Sequence, residues 1–243
     1  MDGFLNLSEF YDELVGADYP KICDFIINKV RSYCPNAEIG VDLGCGSGSL
    51  TAMLAQNGLD MIGIDNSPAM LARAAEKKAD PDVLYLLQPM DEIDLSGPAD
   101  LFVSTLDSVN YLDSARALDR MISRVSLFAN PNALFIFDIN TKYKYTQLHE
   151  KNLIYETDDA VLIWENDFDD PKMYYDLLYF RKAGALYKRE EEQQIQTYFD
   201  PDMVIELLKK HGFSVLTIED DYTSRAVSAQ TERIVFTAQK ENN

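Results

Sequence analysis

The sequence predicts an α/β fold, a doubly wound and mostly parallel sheet with helices on both faces. Three observations predict it. Short apolar runs alternate with amphipathic segments from Glu38 to Asn140, as strands joined by crossover helices do. A Gly-rich turn, Asp42-Leu43-Gly44-Cys45-Gly46-Ser47-Gly48, lies between the first such strand and the first such helix. The next strand ends in an acid, Ile64-Asp65.

The elements follow in order. Residues 1–37 read as one or two helices, with Ile22, Phe25, Ile26 and Val30 at helical spacing. Cys34-Pro35-Asn36 ends that pattern. Strands are expected at 39–43, 60–64, 83–87, 101–105 and 133–139. A helix at 50–56 stops at Asn57-Gly58. Ser67-Pro68 opens another with an N-cap hydroxyl and a proline at the first helical position. A long helix at 113–128 turns Leu118, Met121, Ile122 and Val125 inward.

After Asn140 the period changes. Alternating patches at 160–164, 174–180 and 191–198 are separated by Asp169-Asp170-Pro171 and Ala183-Gly184, which predicts an antiparallel meander inserted into the α/β framework. Asp200-Pro201 then opens a capped helix ending at His211-Gly212, and strands at 215–218 and 233–237 close the chain. The expected organisation is one domain: a helical lid over 1–37, a core of 38–140 and 199–243, and an insertion over 141–198.

With 243 residues, 47% of them hydrophobic, the chain can bury one sizeable core. The net charge of −19 repels phosphate backbones and anionic lipid, so neither nucleic acid nor a membrane surface is an expected partner. Two short basic clusters, Lys142 with Lys144 and Lys188-Arg189, read as solvated charge. Cys23, Cys34 and Cys45 fit no zinc spacing, and reduced thiols point to a cytoplasmic protein. No signal peptide and no membrane span is expected, because no basic segment precedes an apolar run and no stretch nears about 20 apolar residues.

The Gly-rich turn carries the chemistry. Glycines let a chain turn sharply and let a ligand approach where a Cβ would stand, and the helix that follows offers free N–H groups. An acid ending the next strand can accept both hydroxyls of a ribose. A dinucleotide site would want Gly or Ala where Ser49 stands.

The run Val41 to Gly48 resembles the first motif of the class I S-adenosylmethionine-dependent methyltransferases, and Gly63-Ile64-Asp65-Asn66-Ser67-Pro68-Ala69-Met70-Leu71 resembles their second. The order of elements agrees with that family over about 38–140 and 200–238. The meander is similar to the insertion of small-molecule members, including N-methyltransferases acting on amino sugars. The resemblance implies a Rossmann-like, seven-stranded sheet with an antiparallel last strand and S-adenosyl-L-methionine as cofactor. It implies that Gly44, Gly46 and Gly48, with Cys45 among them, pass under the methionine portion. Asp42 would hold the amino group, directly or through water, and Asp65 the ribose hydroxyls with Asn66 and Met70 beside it. Gln88, Met90 and Asp91 would meet the adenine, although Pro89 departs from the family pattern. The segment Leu106-Asp107-Ser108-Val109-Asn110-Tyr111 would border donor and acceptor, with a polar helix start capped by Asp107 or Ser108 as the alternative. Tyr11 and Tyr19 resemble aromatic positions of an N-terminal lid, with ordinary packing as the alternative.

Methyl transfer from a sulfonium needs alignment and no metal. A base is needed when the nucleophile is a protonated amine or a hydroxyl, and Asp107 and His149 are the candidates. His211 reads as a helix-end partner. Trp164, Tyr174, Tyr175 and Tyr179 either line an acceptor wall or form core. The acids of the meander, Glu156, Asp158, Asp159, Glu165, Asp167, Asp169 and Asp170, suggest a cationic acceptor. The expected function is methyl transfer to a small-molecule N or O acceptor by a monomer or homodimer. The alternatives are an NAD-dependent oxidoreductase and a non-catalytic nucleotide-binding regulator.

Overall fold

The computed structural model describes residues 17–77 and 82–242. In chain order the elements are α1 (Tyr19–Tyr33), β1 (Ile39–Leu43), α2 (Ser49–Gln56), β2 (Asp60–Asp65), α3 (Pro68–Glu76), β3 (Leu84–Leu87), β4 (Ala99–Ser104), α4 (Ala115–Phe128), β5 (Ala129–Asn140) and α5 (Lys142–Leu148). They continue with β6 (Asn152–Glu156), β7 (Ala160–Asp169), β8 (Lys172–Ala183), β9 (Leu186–Thr197), α6 (Pro201–Lys210), β10 (Phe213–Asp220) and β11 (Arg233–Lys240). A 3₁₀ turn, Ser108–Tyr111, follows β4.

The main sheet has seven strands in the order β3-β2-β1-β4-β5-β11-β10. β1 to β5 pair in parallel, and β11 is antiparallel to both neighbours. The carboxyl ends of β1, β2, β4 and β5 therefore lie on one edge. Strand order reverses between β1 and β4, where such a sheet opens a crevice for ligands.

Both faces are covered, as central strands without a polar face require. On one face Leu118, Met121, Ile122 and Val125 of α4 join Val204 and Leu208 of α6 over Val41, Phe102, Phe135, Phe137 and Phe236. On the other, Ile22, Ile26 and Val30 of α1 and Leu50 and Leu54 of α2 pack on Met61, Leu101, Val103, Leu134, Ile136 and Val235. Helix starts follow local chemistry. Ser67 accepts from the Met70 N–H at 3.3 Å, and Asp18 accepts from the Lys21 N–H at 3.1 Å ahead of Pro20. α4 begins at Ala115 rather than 113, because the Ser114 hydroxyl caps it by accepting from Ala117 at 3.2 Å.

β6 to β9 form a separate four-stranded antiparallel sheet, the expected meander with one more strand. β6 is an exposed edge without burial alternation, and α5 is a seven-residue helix whose buried residue is Tyr145. Of the aromatics expected as acceptor wall or core, Tyr175 and Tyr179 are buried in two small clusters that share Trp164. Trp164 meets Tyr175 edge-on at 5.5 Å, and Tyr174 lies half-buried at a neighbouring position of β8. Trp164, Tyr175 and Tyr179 are core of the second sheet, and Tyr174 is on the other face of β8. The seven meander acids are all exposed.

The two sheets are tied by buried amides. Asn110 donates to the Thr197 carbonyl at 2.9 Å and accepts from the Asn140 N–H at 2.9 Å. Gln196 donates to Asp107 at 2.6 Å and accepts from the Tyr145 and Tyr175 hydroxyls at 2.9 and 3.2 Å. No helix among the described residues is long and apolar enough to cross a membrane.

Candidate active site

The Gly-rich turn leaves β1 and is held to β2 by the Gly44 and Cys45 N–H groups, which both donate to the Ile64 carbonyl. Gly44 and Gly46 have positive φ, 73° and 55°. A Cβ on Gly44 would stand 2.8 Å from the Ser108 Cβ, whereas one on Gly46 would meet nothing within 4 Å. Gly44 is thus required by the approach of the β4 turn, and Gly46 leaves open space. The Asp65 carboxylate accepts from the Gly46 N–H at 2.8 Å and from the Ser67 N–H at 2.8 Å, so one side chain fixes both the turn and the start of α3.

Gly44, Gly46, Asp65, Asn66 and Met70 line one side of a cavity of about 320 Å³. Gln88, Pro89, Met90 and Asp91 line the end beyond β3. Ser108 and Tyr111 of the expected segment after β4 close it, together with residues absent from the expected set: Leu112 and Asp113, with Ala117 and Arg120 on α4. Asp91 is ion-paired with Arg120. The Gln88 amide is engaged with the Asp94 backbone, accepting at 2.9 Å and donating at 3.2 Å.

Several expected cofactor residues stand behind this wall. Asp42 is 2% exposed and accepts from the Thr51 hydroxyl at 2.6 Å. Burial pushes its carboxyl up to about 7, against the pull of the Thr51 bond. It ties the end of β1 to α2 beneath the turn and does not line the cavity. Cys45 is buried, and Gly48 packs toward Tyr85, whose hydroxyl a Cβ there would meet at 2.4 Å. Tyr19 packs against the core beneath α1 and α2. Tyr11 lies outside the described residues.

The β4 turn has unusual backbone. Leu106 and Asp107 are consecutive non-glycine residues at φ 56° and 57°, each costing about 1–2 kcal/mol. The Asp138 carboxylate at the end of β5 compensates by accepting from the Leu106 N–H at 2.7 Å and the Asp107 N–H at 2.6 Å. It also accepts from the Tyr222 hydroxyl and, at 3.4 Å, from Arg233. Burial raises the Asp138 carboxyl, opposed by Arg233. Burial alone would lower the Arg233 guanidinium, but Asp138 and Asp107 more than offset it and hold it above its ordinary value.

These contacts place both expected bases outside the lining of the two cavities. The Asp107 oxygens are taken by Arg233 at 2.7 Å and Gln196 at 2.6 Å, so Asp107 lines neither cavity and holds the turn. His149 ends α5, where its Nδ1 accepts from the Phe168 N–H at 3.1 Å. It too stands outside both cavities.

The second cavity, of about 510 Å³, lies on the other side of this turn. Leu106 lines it while Ser108 lines the first. Its walls include Lys144, Tyr222, Glu232 and Arg233, with Lys21 and Asp221 at the α1 side. Lys142 is exposed and paired with Asp170, but Lys144 is turned inward, a correction to the reading of both as solvated charge. Arg233 was detectable as a charged residue placed just before the apolar run Ile234-Val235-Phe236. Lys144 and Tyr222 carry no such mark.

A methyltransferase-domain family model matches residues 41–127, the span from β1 to α4. YqeM of Bacillus subtilis (strain 168), which bears a methyltransferase name, is 29% identical over 243 residues, covering 98% of this chain and 97% of its own. The S-adenosylmethionine-dependent methyltransferase from Clostridium acetobutylicum ATCC 824 superposes with a TM-score of 0.88 at 29% identity, over 97% of this chain and 98% of that one. These findings support a class I S-adenosylmethionine-dependent methyltransferase. The amino pentose methyltransferase CalS10 from Micromonospora echinaspora, solved with S-adenosylmethionine bound, shares the fold at TM-score 0.79 and 16% identity, over 97% of each chain. The dinucleotide and non-catalytic alternatives fall with this assignment. The cofactor of this methyltransferase is S-adenosylmethionine, and the site fits it. Gly46 leaves space where a Cβ would stand, Asp65 offers a carboxylate at the end of β2, and Met70, Pro89, Met90 and Leu112 make an apolar slot for a flat base.

Proposed function

We propose that this methyltransferase acts on a nitrogen or oxygen of a small-molecule acceptor, with the donor in the cavity beside the Gly-rich turn and the acceptor in the polar cavity across Leu106-Asp107. One observation carries the reading: two residues of one turn, on either side of Asp107, line two separate cavities, Leu106 the polar one and Ser108 the other. The relation to an amino pentose methyltransferase fold supports a small acceptor.

When bound, the sulfonium supplies an already activated methyl group, so the protein's task is alignment and exclusion of water. Asp65, beside Asn66, would receive the ribose hydroxyls, and the open space at Gly46 would let the methionine chain pass beside Gly44. Met70 and Met90 would contact the base. Asp138 and Arg233 keep the β4 turn in its strained form, so Leu106 and Asp107 act as positioning residues. In the same reading residues 38–140 and 199–243 are the catalytic framework and 141–198 an insertion that roofs it. A cytosolic setting belongs to this proposal, supported by three thiols outside any disulfide.

Calorimetry with S-adenosylhomocysteine and a turnover screen over small amines and alcohols test it. Asp65→Ala should weaken S-adenosylhomocysteine by about 1–3 kcal/mol, as expected for lost bonds to a charged group. Leu106→Trp should fill the polar cavity, leaving that affinity in place while turnover falls. Unchanged affinity in the first and unchanged turnover in the second would overturn the assignment of the two cavities.

A further inference from the structure

We propose that the polar cavity receives an anionic group of the methyl acceptor, a carboxylate or a phosphate, and that Lys144 is the residue that binds it. The inference rests on reading that cavity as the acceptor chamber.

The charges around the cavity largely answer one another. At the α1 side Lys21 pairs with Asp221 at 2.5 Å, and at the rim Arg225 pairs with Asp220 at 3.2 Å. Asp18 caps α1 through the Lys21 N–H. Glu232 is exposed at the rim. Deeper in, the Arg233 fork is held by Asp107 and Asp138 at 2.7 and 3.4 Å.

Lys144 is different. Its neighbour Tyr145 is the fully buried anchor of α5, and the turn of that helix places Lys144 against the cavity wall. An ammonium carries three N–H donors. One donates to the Asn140 side-chain oxygen at 2.9 Å, and Lys144 makes no ion pair among the described residues. A half-buried cation with donors left over is costly unless a partner arrives. Among the described residues lining this cavity, Lys144 is the inward-facing cation without an ion pair, and two of the acids that act on its charge, Asp107 and Asp138, are engaged by Arg233. That runs against the cationic acceptor suggested by the meander acids, which are exposed.

The electrostatics agree with this placement. Burial lowers the Lys144 ammonium below its ordinary value. Asp107, Asp138 and Glu232 oppose that fall and Arg233 adds to it. A bound anion restores the charged form, so binding should take up protons and weaken as pH rises toward the ordinary lysine range.

The test uses the full chain labelled with ¹³C-lysine, free and saturated with S-adenosylhomocysteine. Inorganic phosphate and acetate serve as probes and tetramethylammonium as the cationic control. Lys144→Met assigns the resonance. Both anions should shift the Lys144 signal and raise its titration midpoint in either form, and tetramethylammonium should do neither. Lys144→Met should weaken phosphate at least tenfold, whereas Lys144→Arg, which keeps the cation and cannot act as a base, should retain it. S-adenosylhomocysteine affinity should be unchanged in both variants. A silent Lys144 signal with both anions overturns the proposal. So does a tenfold loss of S-adenosylhomocysteine affinity in Lys144→Met, with phosphate binding seen only in donor-free protein, since the anion received would then be the donor's own carboxylate. If Leu106→Trp leaves turnover intact while Lys144 still binds phosphate, the acceptor-chamber reading fails and the anion site stands.

Discussion

Asp42 is a carboxyl group buried beneath the Gly-rich turn, and its titration is felt in the stability of the fold. In the folded protein burial raises it to about 7, while in the unfolded chain it titrates near 3.9, the ordinary value. Between those values the folded state holds a proton that the unfolded chain has released. Stability therefore falls as pH rises through that window and levels off above it. Asparagine retains an acceptor for the Thr51 hydroxyl without the titration. The stability of Asp42→Asn relative to wild type, from urea unfolding, should grow between about pH 4 and pH 7 and then plateau. At about 1.4 kcal/mol per unit the ceiling is about 4 kcal/mol. Asp138, also raised by burial, is present in both proteins and cancels. A difference that stays flat with pH would show that Asp42 is charged in its pocket throughout. The same residues show how far sequence reaches. Gly44, Gly46 and Asp65 were legible because a strand, a turn and a helix start are local, and their chemistry is written within 25 neighbouring positions. The Asp138 network was not legible, because its partners stand at 106, 107, 222 and 233 and meet only when β5, β11 and the β4 turn come together.

At the scale of elements, the docking of the second sheet onto the first depends on a few buried amides. Asn110 is fully buried on the 3₁₀ turn after β4, and its side chain joins the end of β5 to the end of β9. Asn110→Leu conserves its bulk but strands the Thr197 carbonyl and the Asn140 N–H. Buried polar groups without partners cost about 1–3 kcal/mol each, so a loss of about 2–4 kcal/mol is expected by chemical denaturation. Amide exchange should speed up at Asn140 and around Thr197 before it does in the central strands. A loss below about 1 kcal/mol would mean that the insertion is held by its apolar contacts alone. Long periodic elements such as α4 were readable from sequence because their burial repeats every three or four residues. α5 and β6 were not. One has too few residues to display a stripe, and the other is an edge with no buried face to impose alternation.

For the whole molecule the dominant quantity is the net charge of −19. Like charges spread over a compact surface repel one another and favour the expanded chain, in which they stand farther apart. Exposed pairs such as Lys182 with Asp159 and Lys188 with Glu190 answer some of that charge, but exposed pairs contribute about 0–1 kcal/mol each and the 19-charge excess remains. Screening weakens both the repulsion and the pairs, over a Debye length that shrinks from about 30 Å at 0.01 M to about 8 Å at 0.15 M salt. The repulsion sums over many distant partners, whereas each pair acts at contact distance. The longer-ranged effect is lost first, and it is the unfavourable one. Added sodium chloride between those concentrations should therefore raise the midpoint of thermal unfolding, most steeply at the low end. The same reasoning bears on an anionic acceptor. Long-range repulsion slows its approach to Lys144, so its association rate should also rise with salt, opposite in sign to an acceptor steered in by attraction. A midpoint that drops on adding salt would show instead that the ion pairs, not the excess of carboxylates, govern this surface.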